Sequence, residues 1–323
     1  MEYTRLGTSG LRVSRLALGC MSFGDASRGF SEWALDDDAA APLFRQAVEL
    51  GITFWDTANV YGYGSSEEIV GRAIRSYTSR EDVVLATKVF FPLHEGPGGR
   101  GLSRRAIMEQ VDASLSRLGT DYVDLYQIHR FDPETPVEET MEALHDVVKA
   151  GKARYLGASS MWAWQFQKMQ HAAEANGWTR FVSMQDQYSL VMREEEREMM
   201  PLLVDQGVGS LPWSPLAKGR LTRPWSDQHT QRAETDPLQS RYSGEVNEPI
   251  VSAVQRVAEA RGVPMAQIAL AWVLHNPVVT APIVGATKPH HLADAAAALE
   301  LTLSEDEARA LEEHYTPRMP SGF

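Results

Sequence analysis

Four polar side chains with complementary chemistry follow three successive apolar segments of the chain. Asp56 comes at the end of the first segment with Tyr61 shortly beyond it, Lys88 ends the second, and His129 ends the third. A phenol is a weak acid with a pKa near about 10, and a neighbouring ammonium lowers that pKa. A tyrosine beside a lysine can therefore deliver a proton to an oxygen that gains negative charge, as a carbonyl oxygen does when hydride adds to its carbon.

The other two side chains have supporting roles in this chemistry. Asp56 would hold Lys88 in place and partly offset its effect on the phenol, and His129 would orient the carbonyl oxygen by a hydrogen bond. Each residue alone also fits a structural role: a buried ion pair for Asp56 and Lys88, a loop aromatic over the core for Tyr61, a satisfied core histidine for His129. Their joint placement favours a general acid in reduction, which becomes a general base in oxidation.

The elements that must position these residues alternate between apolar β-rich runs and longer helical patterns, which indicates βαβ units and a parallel sheet. The predicted strands are residues 17–19, 53–55, 83–87, 123–127, 155–158, 181–184, 207–211 and 281–284. The predicted helices are residues 38–51, 66–77, 104–118, 137–150, 162–176, 194–206, 248–261, 266–275 and 290–299. The strands are short and nearly all apolar, which is typical of strands covered on both faces.

Eight strands with intervening helices favour an α/β fold of the closed (β/α)8 TIM-barrel type, as a single domain over residues 1–323. An open doubly wound sheet is the alternative. A barrel gathers the carboxyl ends of its strands at one mouth, so the four polar side chains should converge there. Residues 1–15 predict a β-hairpin that could plug the bottom of the barrel. Residues 214–247 predict a long polar loop, and a loop of that length is usually functional or disordered. Residues 316–323 add an extra C-terminal segment.

Residues 51–62, with the sequence GITFWDTANVYG, and residues 66–71, with the sequence SEEIVG, resemble the first motif of the aldo-keto reductase family. The family's Asp, Tyr, Lys and His tetrad would fall on Asp56, Tyr61, Lys88 and His129. The resemblance covers essentially the whole chain. It implies a (β/α)8 barrel and NADPH-dependent reduction of small-molecule carbonyl compounds. Within the family, the chain resembles the bacterial branch related to aryl-alcohol dehydrogenases and potassium-channel β subunits.

No Gly-x-Gly-x-x-Gly motif opens a helix, so a Rossmann-type dinucleotide site is not predicted. The resemblance instead places NADPH or NADP at the barrel mouth, with Ser159 and Gln185 against the carboxamide. Ser160 stands where many family members have asparagine, so the chain departs from the family pattern at this contact. Trp213 resembles the aromatic residue that stacks on nicotinamide, although a tryptophan of the core is the alternative.

The phosphate groups and the adenine would lie against two later segments. The loop after the seventh strand would wrap the pyrophosphate, and Lys288, at the start of the last predicted helix, would pair with the 2′-phosphate, a position that favours anions. His291 stands where some relatives carry a basic residue, and Asp294 would face the adenine. The predicted cofactor contacts are Met21, Ser159, Gln185, Trp213, Ser214, Leu216, Gly219, Gly285, Lys288, His291 and Asp294.

Composition narrows the range of partners. The net charge of −12 argues against nucleic acid and against anionic membrane surfaces. No apolar run is long enough to span a bilayer, and a charged N-terminus does not fit a signal peptide. The single cysteine, Cys20, excludes an intramolecular disulfide and fits a reducing compartment, so the cytoplasm is expected. No Cys or His cluster has the spacing of a zinc site, so no metal is predicted. An oligomer is left open.

The substrate pocket should be built from loops beside Tyr61 and His129. Candidate lining residues are Trp33, Phe90, Phe91 and residues 161–164, and the tail around Phe323 could fold over the mouth. Aromatic walls favour aryl or aliphatic aldehydes and ketones. Two other functions are left open: a slow-turnover NADPH-binding regulatory subunit that resembles potassium-channel β subunits, and a barrel lyase or isomerase that uses Lys88 as a Schiff-base nucleophile.

Overall fold

Eight short parallel strands form the centre of the computed structural model, which describes residues 1–29, 32–96, 98–227, 242 and 244–320. A separate antiparallel hairpin precedes them, with strands β1 (Tyr3–Arg5) and β2 (Arg12–Ser14). The parallel strands are β3 (Ala17–Gly19), β4 (Phe54–Asp56), β5 (Val84–Val89), β6 (Val123–Ile128), β7 (Ala153–Ser159), β8 (Phe181–Gln185), β9 (Gly209–Ser210) and β10 (Ile283–Gly285). They lie close to the eight strands that the apolar runs predict.

The sheet closes on itself. Its strands follow the order β10-β3-β4-β5-β6-β7-β8-β9, so β9 and β10 are the two ends that must meet. The Ile283 amide donates to the carbonyl oxygen of Pro212 over 2.8 Å, and the Thr280 amide donates to that of Ser210 over 2.9 Å. These backbone bonds join the two end strands, and this pairing closes the sheet into a barrel. The predicted barrel is confirmed, and the open-sheet alternative is wrong.

Helices cover the outside of the barrel, and most follow a strand. They are α1 (Asp37–Glu49), α2 (Ser65–Tyr77), α3 (Arg104–Leu118), α4 (Val137–Lys149), α5 (Ala163–Asn176), α6 (Met199–Gln206), α7 (Glu248–Arg261), α8 (Met265–His275), α9 (Pro289–Ala298) and α10 (Glu305–Glu312). Two differences from the prediction stand out. Helix α6 begins at Met199 because residues Glu194–Glu196 form a separate 3-10 turn, and α10 was not predicted.

The barrel interior changes from apolar to polar along the strands. Phe54, Ala86 and Leu125 belong to one buried apolar cluster near the start of their strands. Side chains two residues apart on a strand point to the same face, so the next inward positions on these strands are Asp56, Lys88 and Gln127. Strand register pairs Lys88 with Gln127 across β5 and β6. The polar end of the barrel is therefore the carboxyl end, where the predicted site lies.

The N-terminal hairpin covers the opposite end of the barrel, as predicted. Leu6 is fully buried in the lower apolar cluster. The Thr8 amide donates to the carbonyl oxygen of Gly207 over 2.8 Å, just before β9. Gly7 has a positive φ of 57°, and a Cβ there would lie 2.3 Å from the oxygen of Gly207. Glycine therefore permits the close approach that seats the hairpin against the barrel.

Two predicted features lie wholly or partly outside the described residues. Phe323, which belongs to the tail expected to fold over the mouth, lies wholly outside them. The predicted long loop 214–247 is described only at 214–227, 242 and 244–247.

Candidate active site

A buried ion pair forms the base of the site. The Lys88 ammonium donates to Asp56 Oδ2 over 2.5 Å and to the carbonyl oxygen of Thr57 over 2.9 Å. Lys88 is fully buried and Asp56 is 2% exposed. Strands β4 and β5 are neighbours, and both side chains point inward at their carboxyl ends. The pair predicted from the sequence is thus brought together by the barrel.

Asp56 has further partners that the sequence analysis did not assign. Its Oδ1 accepts from Gln127 Nε2 over 2.9 Å and from Gln185 Nε2 over 3.0 Å. Gln185 Nε2 also donates to Gln127 Oε1 over 3.1 Å, so both hydrogens of this amide are engaged within the barrel. Any contact between Gln185 and a ligand carboxamide must therefore use Gln185 Oε1 as an acceptor. Two-residue alternation along β6, from Gln127 to His129, is the signal that could have identified Gln127.

Tyr61 lies beside the ion pair, at the start of a 3-10 turn, Tyr61–Gly64. The Lys88 ammonium donates to its phenolic oxygen over 3.3 Å and lies 4.8 Å from the ring centroid. Burial raises the pKa of Tyr61, an effect that outweighs the opposing influence of Lys88. Lys88 does lower the pKa of Tyr61, as expected, but desolvation raises that pKa by more, so the pKa of Tyr61 ends above its usual value. The phenol is therefore protonated at neutral pH.

His129 faces the same cluster from the end of β6. Its ring centroid lies 5.8 Å from that of Tyr61 and 4.8 Å from that of Phe91, both in edge-to-face geometry. The residue is 7% exposed, and burial together with Lys88 and Arg130 holds its pKa well below the usual range. The imidazole is therefore neutral at physiological pH. Its Nδ1 is buried and accepts no hydrogen bond from the described residues.

The charge state of Lys88 bears on the alternative of Schiff-base chemistry. Burial alone would lower the pKa of Lys88, but Asp56 and Tyr61 more than offset it, so the pKa is raised. A Schiff base forms from the neutral amine, which requires a lowered pKa. The buried, ion-paired ammonium is therefore poorly suited to nucleophilic attack, and it is well suited to hold a phenolate.

The ends of β7 and β8 carry two of the residues predicted to contact nicotinamide. Ser159 Oγ donates to the carbonyl oxygen of Gln185 over 2.8 Å and lies 3.2 Å from Ser160 Oγ. Trp213, which is half-buried, donates its indole N–H to Ser160 Oγ over 3.0 Å. Ser159, Gln185 and Trp213 are thus linked through short contacts at one rim of the barrel, in agreement with the proximity that their predicted roles require.

The segment after Trp213 has an irregular backbone. Ser214 has a φ of 52°, Lys218 of 54° and Gly219 of 94°, in the left-handed region that non-glycine residues rarely adopt. The amide of Gly219 donates to the carbonyl oxygen of Leu216 over 2.9 Å. This folds the segment back on itself next to the mouth. Met21, on the 3-10 helix Cys20–Ser22 that follows β3, is partly exposed at the same end.

The predicted phosphate and adenine residues lie around the start of α9. Gly285 ends β10 and is exposed, and the exposed Lys288 is the N-cap residue of α9. The Thr287 amide donates to His291 Nδ1 over 3.2 Å. Burial and the neighbouring His290 and Lys288 lower the pKa of His291 to about 4, so its ring is neutral. Asp294 accepts from Gln267 Nε2 over 3.0 Å, which leaves part of its carboxylate for other contacts.

Several aromatic side chains lie on the predicted substrate side, and one of them, Phe91, contacts His129. Phe91 stacks edge-on against Phe90 at 5.2 Å as well as against His129. Trp164, which is 60% exposed, lies 6.2 Å from Phe131 between ring centroids. Trp33 and Met161 are buried, so they contribute less accessible surface.

Within the described part of the chain, no group of three His, Cys, Asp or Glu side chains is arranged to hold a metal ion, and no helix is long and apolar enough to cross a membrane. Cys20 is a buried free thiol, and burial raises its pKa well above the usual range, so it stays protonated.

Comparison with known proteins adds to this geometry. A model of the aldo/keto reductase family matches residues 15–316. The chain is 46% identical to the versiconal hemiacetal acetate reductase of Aspergillus parasiticus, with 98% of each chain covered. It is 43% identical to a putative aryl-alcohol dehydrogenase of Schizosaccharomyces pombe, covering 98% of this chain and 96% of the relative. It is 40% identical to one of Saccharomyces cerevisiae, with 98% of each covered. These relatives are fungal, so they do not support the predicted bacterial branch.

Proposed function

Because the chain belongs to the aldo/keto reductase family, whose members are oxidoreductases that act on small carbonyl compounds, we propose that it reduces aldehydes or ketones with NADPH as the hydride donor. In this proposal Tyr61 is the proton donor. The observation that carries it is the 3.3 Å contact between the fully buried Lys88 ammonium and the phenolic oxygen of the half-buried Tyr61.

The side chains divide the work as follows. Tyr61 holds its proton at neutral pH because burial raises its pKa, so the phenol is in the acid form that reduction requires. Lys88 stabilises the phenolate that remains after the proton has left, and Asp56 keeps Lys88 charged. The neutral His129 supplies a hydrogen bond to the carbonyl oxygen without adding charge. In alcohol oxidation the same groups act in reverse.

Two observations support the proposed contacts with NADPH. Lys288 is the N-cap residue of α9, where both its charge and the helix dipole favour a phosphate. The half-buried indole of Trp213 lies at the rim, fixed by its bond to Ser160. NADPH, when bound, supplies the hydride. The chain's own residues would hold the ring at Ser159 and Gln185 Oε1, the pyrophosphate at Ser214, Leu216 and Gly219, and the nucleoside end at Lys288, His291 and Asp294.

The proposed substrates are aromatic aldehydes and ketones, with aliphatic ones as poorer substrates. Phe91 contacts His129 directly, and Trp164, another predicted lining residue, is exposed and lies against Phe131. Flat apolar walls beside a few polar groups are typical of pockets for small apolar ligands. The fungal relatives named as aryl-alcohol dehydrogenases support the same class.

The test measures NADPH consumption with benzaldehyde and substituted benzaldehydes for the wild type and Tyr61→Phe. We expect Tyr61→Phe to lower kcat/KM by about 100-fold or more, in the range of lost general-acid catalysis, with the Kd for NADPH near that of the wild type. Tyr63→Phe is the matched control, since Tyr63 is exposed and lies in the same turn. It should leave turnover near the wild-type rate.

Two outcomes would count against the proposal. If Tyr61→Phe lost cofactor affinity as much as turnover, its role as proton donor would be wrong. If wild type and variant both bound NADPH and neither reduced any carbonyl compound, a slow-turnover NADPH-binding regulatory subunit would become the better explanation.

A further inference from the structure

Asp186, the residue that follows β8, joins the ends of three strands. Its carboxylate Oδ1 accepts the Ser160 amide over 3.1 Å, and its main-chain carbonyl accepts the Trp213 amide over 2.8 Å. Ser160 follows β7 and Trp213 follows β9. Asp186 is 3% exposed, so these bonds are shielded from water, where a hydrogen bond to a charged acceptor is strong. No role in catalysis or cofactor binding was predicted for it.

The conformation of Ser160 explains why such an anchor is needed. Ser160 has a φ of 48°, in the left-handed region that a non-glycine residue adopts only when its surroundings enforce it. Its amide donates both to Asp186 Oδ1 and to the carbonyl oxygen of Gln185, the latter over 3.2 Å. In this conformation Ser160 Oγ receives the indole N–H of Trp213 over 3.0 Å.

We propose that Asp186 is a positioning residue, which fixes Ser160 in the left-handed conformation and, through Ser160 Oγ, sets the plane of the Trp213 indole. This inference rests on the proposed function, in which Trp213 stacks on nicotinamide. Asp186 touches neither cofactor nor substrate in this proposal. It keeps Ser160 and Trp213 in the conformation that binds the cofactor before the cofactor is bound, which lowers the entropic cost of ordering these residues on binding.

The surroundings of Asp186 make this anchor sensitive to pH. Burial raises the pKa of Asp186 to about 7, against the lowering effects of the Ser160 amide and of Arg130. Glu195 is a neighbouring buried carboxyl group, and burial together with Asp186 and Glu194 raises the pKa of Glu195 to about 10. Near neutral pH, Asp186 therefore changes charge while Glu195 stays protonated. A protonated Asp186 is a weaker acceptor for the Ser160 amide.

The first test uses the apoprotein and needs neither cofactor nor turnover. With 15N-labelled tryptophan, the Trp213 indole resonance is assigned by its absence in Trp213→Phe. We expect that resonance to move with pH in the wild type with a midpoint of about 7 and to be pH-independent in Asp186→Asn. A Trp213 resonance that does not titrate, or that titrates equally in Asp186→Asn, would overturn the proposal.

The second test measures the Kd for NADPH by isothermal titration. Asp186→Ala should raise it about tenfold, the equivalent of one lost buried hydrogen bond, and Asp186→Asn, which keeps an acceptor oxygen, should restore it. Glu195→Gln is the matched control: it is an equally buried acid without a bond to Ser160, and it should leave both Kd and the Trp213 resonance unchanged.

A double-mutant comparison tests the route through Ser160. Glycine adopts a positive φ without an anchor, and Ser160→Gly also removes the Oγ that accepts the Trp213 indole N–H. If Asp186 acts only through Ser160, adding Asp186→Ala to Ser160→Gly should weaken NADPH binding no further. Fully additive effects would show that Asp186 does not act through Ser160. A wild-type protein that fails to bind NADPH would overturn the proposed function, whereas the apoprotein resonances would still decide whether Asp186 orients Trp213.

Discussion

Lys88 donates to the phenolic oxygen of Tyr61 over 3.3 Å from a fully buried position. A lysine in an apolar interior would ordinarily lose its charge, yet the pKa of Lys88 is raised, because Asp56, 2.5 Å away, and Tyr61 together outweigh the cost of burial. The ion pair therefore keeps a full positive charge beside the phenol. Lys88 is the cation with the larger effect on Tyr61, since Arg130 lowers the pKa of Tyr61 by less than Lys88 does.

We predict that Lys88→Met destabilises the protein by about 3–5 kcal/mol, because it leaves Asp56 buried without its cation. Adding Asp56→Asn should recover part of that loss, since the amide carries no charge to desolvate. Urea unfolding of both single variants and the double variant measures the coupling. A double variant less stable than Lys88→Met would mean that the two residues do not form an interdependent pair. Carbonyl reduction should be lost in all three variants.

The sequence predicts the barrel and the four-residue cluster because both follow from local patterns. Short apolar runs at regular spacing mark the strands, and the polar residue that ends each run marks the mouth. The bonds of Gln127 and Gln185 to Asp56 follow from strand register, which the sequence does not specify. The anchor at Asp186 could not be predicted either, because it depends on the positive φ of Ser160, and serine has no preference for that conformation.

The start of α6 shows a second reason why the sequence does not predict every element correctly. Three consecutive glutamates, Glu194–Glu196, open the predicted helix 194–206, and acidic residues are favourable in the first turn of a helix. In the structure they form a 3-10 turn in which Glu195 is buried and Glu196 accepts from Arg193 over 2.9 Å. Side-chain packing, which sets this turn, overrides the local preference for a helical first turn.

We predict that Lys288→Ala weakens NADPH binding more than NADH binding. Lys288 caps α9 in an exposed position, where loss of one charge-assisted contact with the 2′-phosphate should cost about 1–2 kcal/mol. NADH lacks that phosphate and should bind nearly unchanged. Isothermal titration with both cofactors checks the difference. The control is Lys168→Ala, an exposed lysine on α5, which should affect neither. Equal losses for NADPH and NADH would exclude a contact between Lys288 and the 2′-phosphate.

The buried carboxyl groups of Glu195 and Asp186 predict how stability depends on pH. Burial raises the pKa of Glu195 to about 10, whereas a glutamate in the unfolded chain releases its proton near about pH 4. Between these values the folded state holds a proton that the unfolded state has lost. The contribution of Glu195 to the free energy of unfolding must therefore fall as pH rises, by up to about 1.4 kcal/mol per pH unit. Asp186, with a pKa of about 7, adds to this fall only below neutral pH.

Glu195→Gln removes the group that titrates while it keeps a similar shape and the neutral charge that burial imposes. Its stability relative to the wild type should therefore rise with pH, so that the variant loses less between about pH 7 and about pH 9. Urea unfolding at several pH values measures the two slopes. Glu198→Gln, on an exposed neighbour, should leave the slope unchanged. Parallel slopes for wild type and Glu195→Gln would mean that the Glu195 carboxyl ionises in the folded protein at ordinary pH.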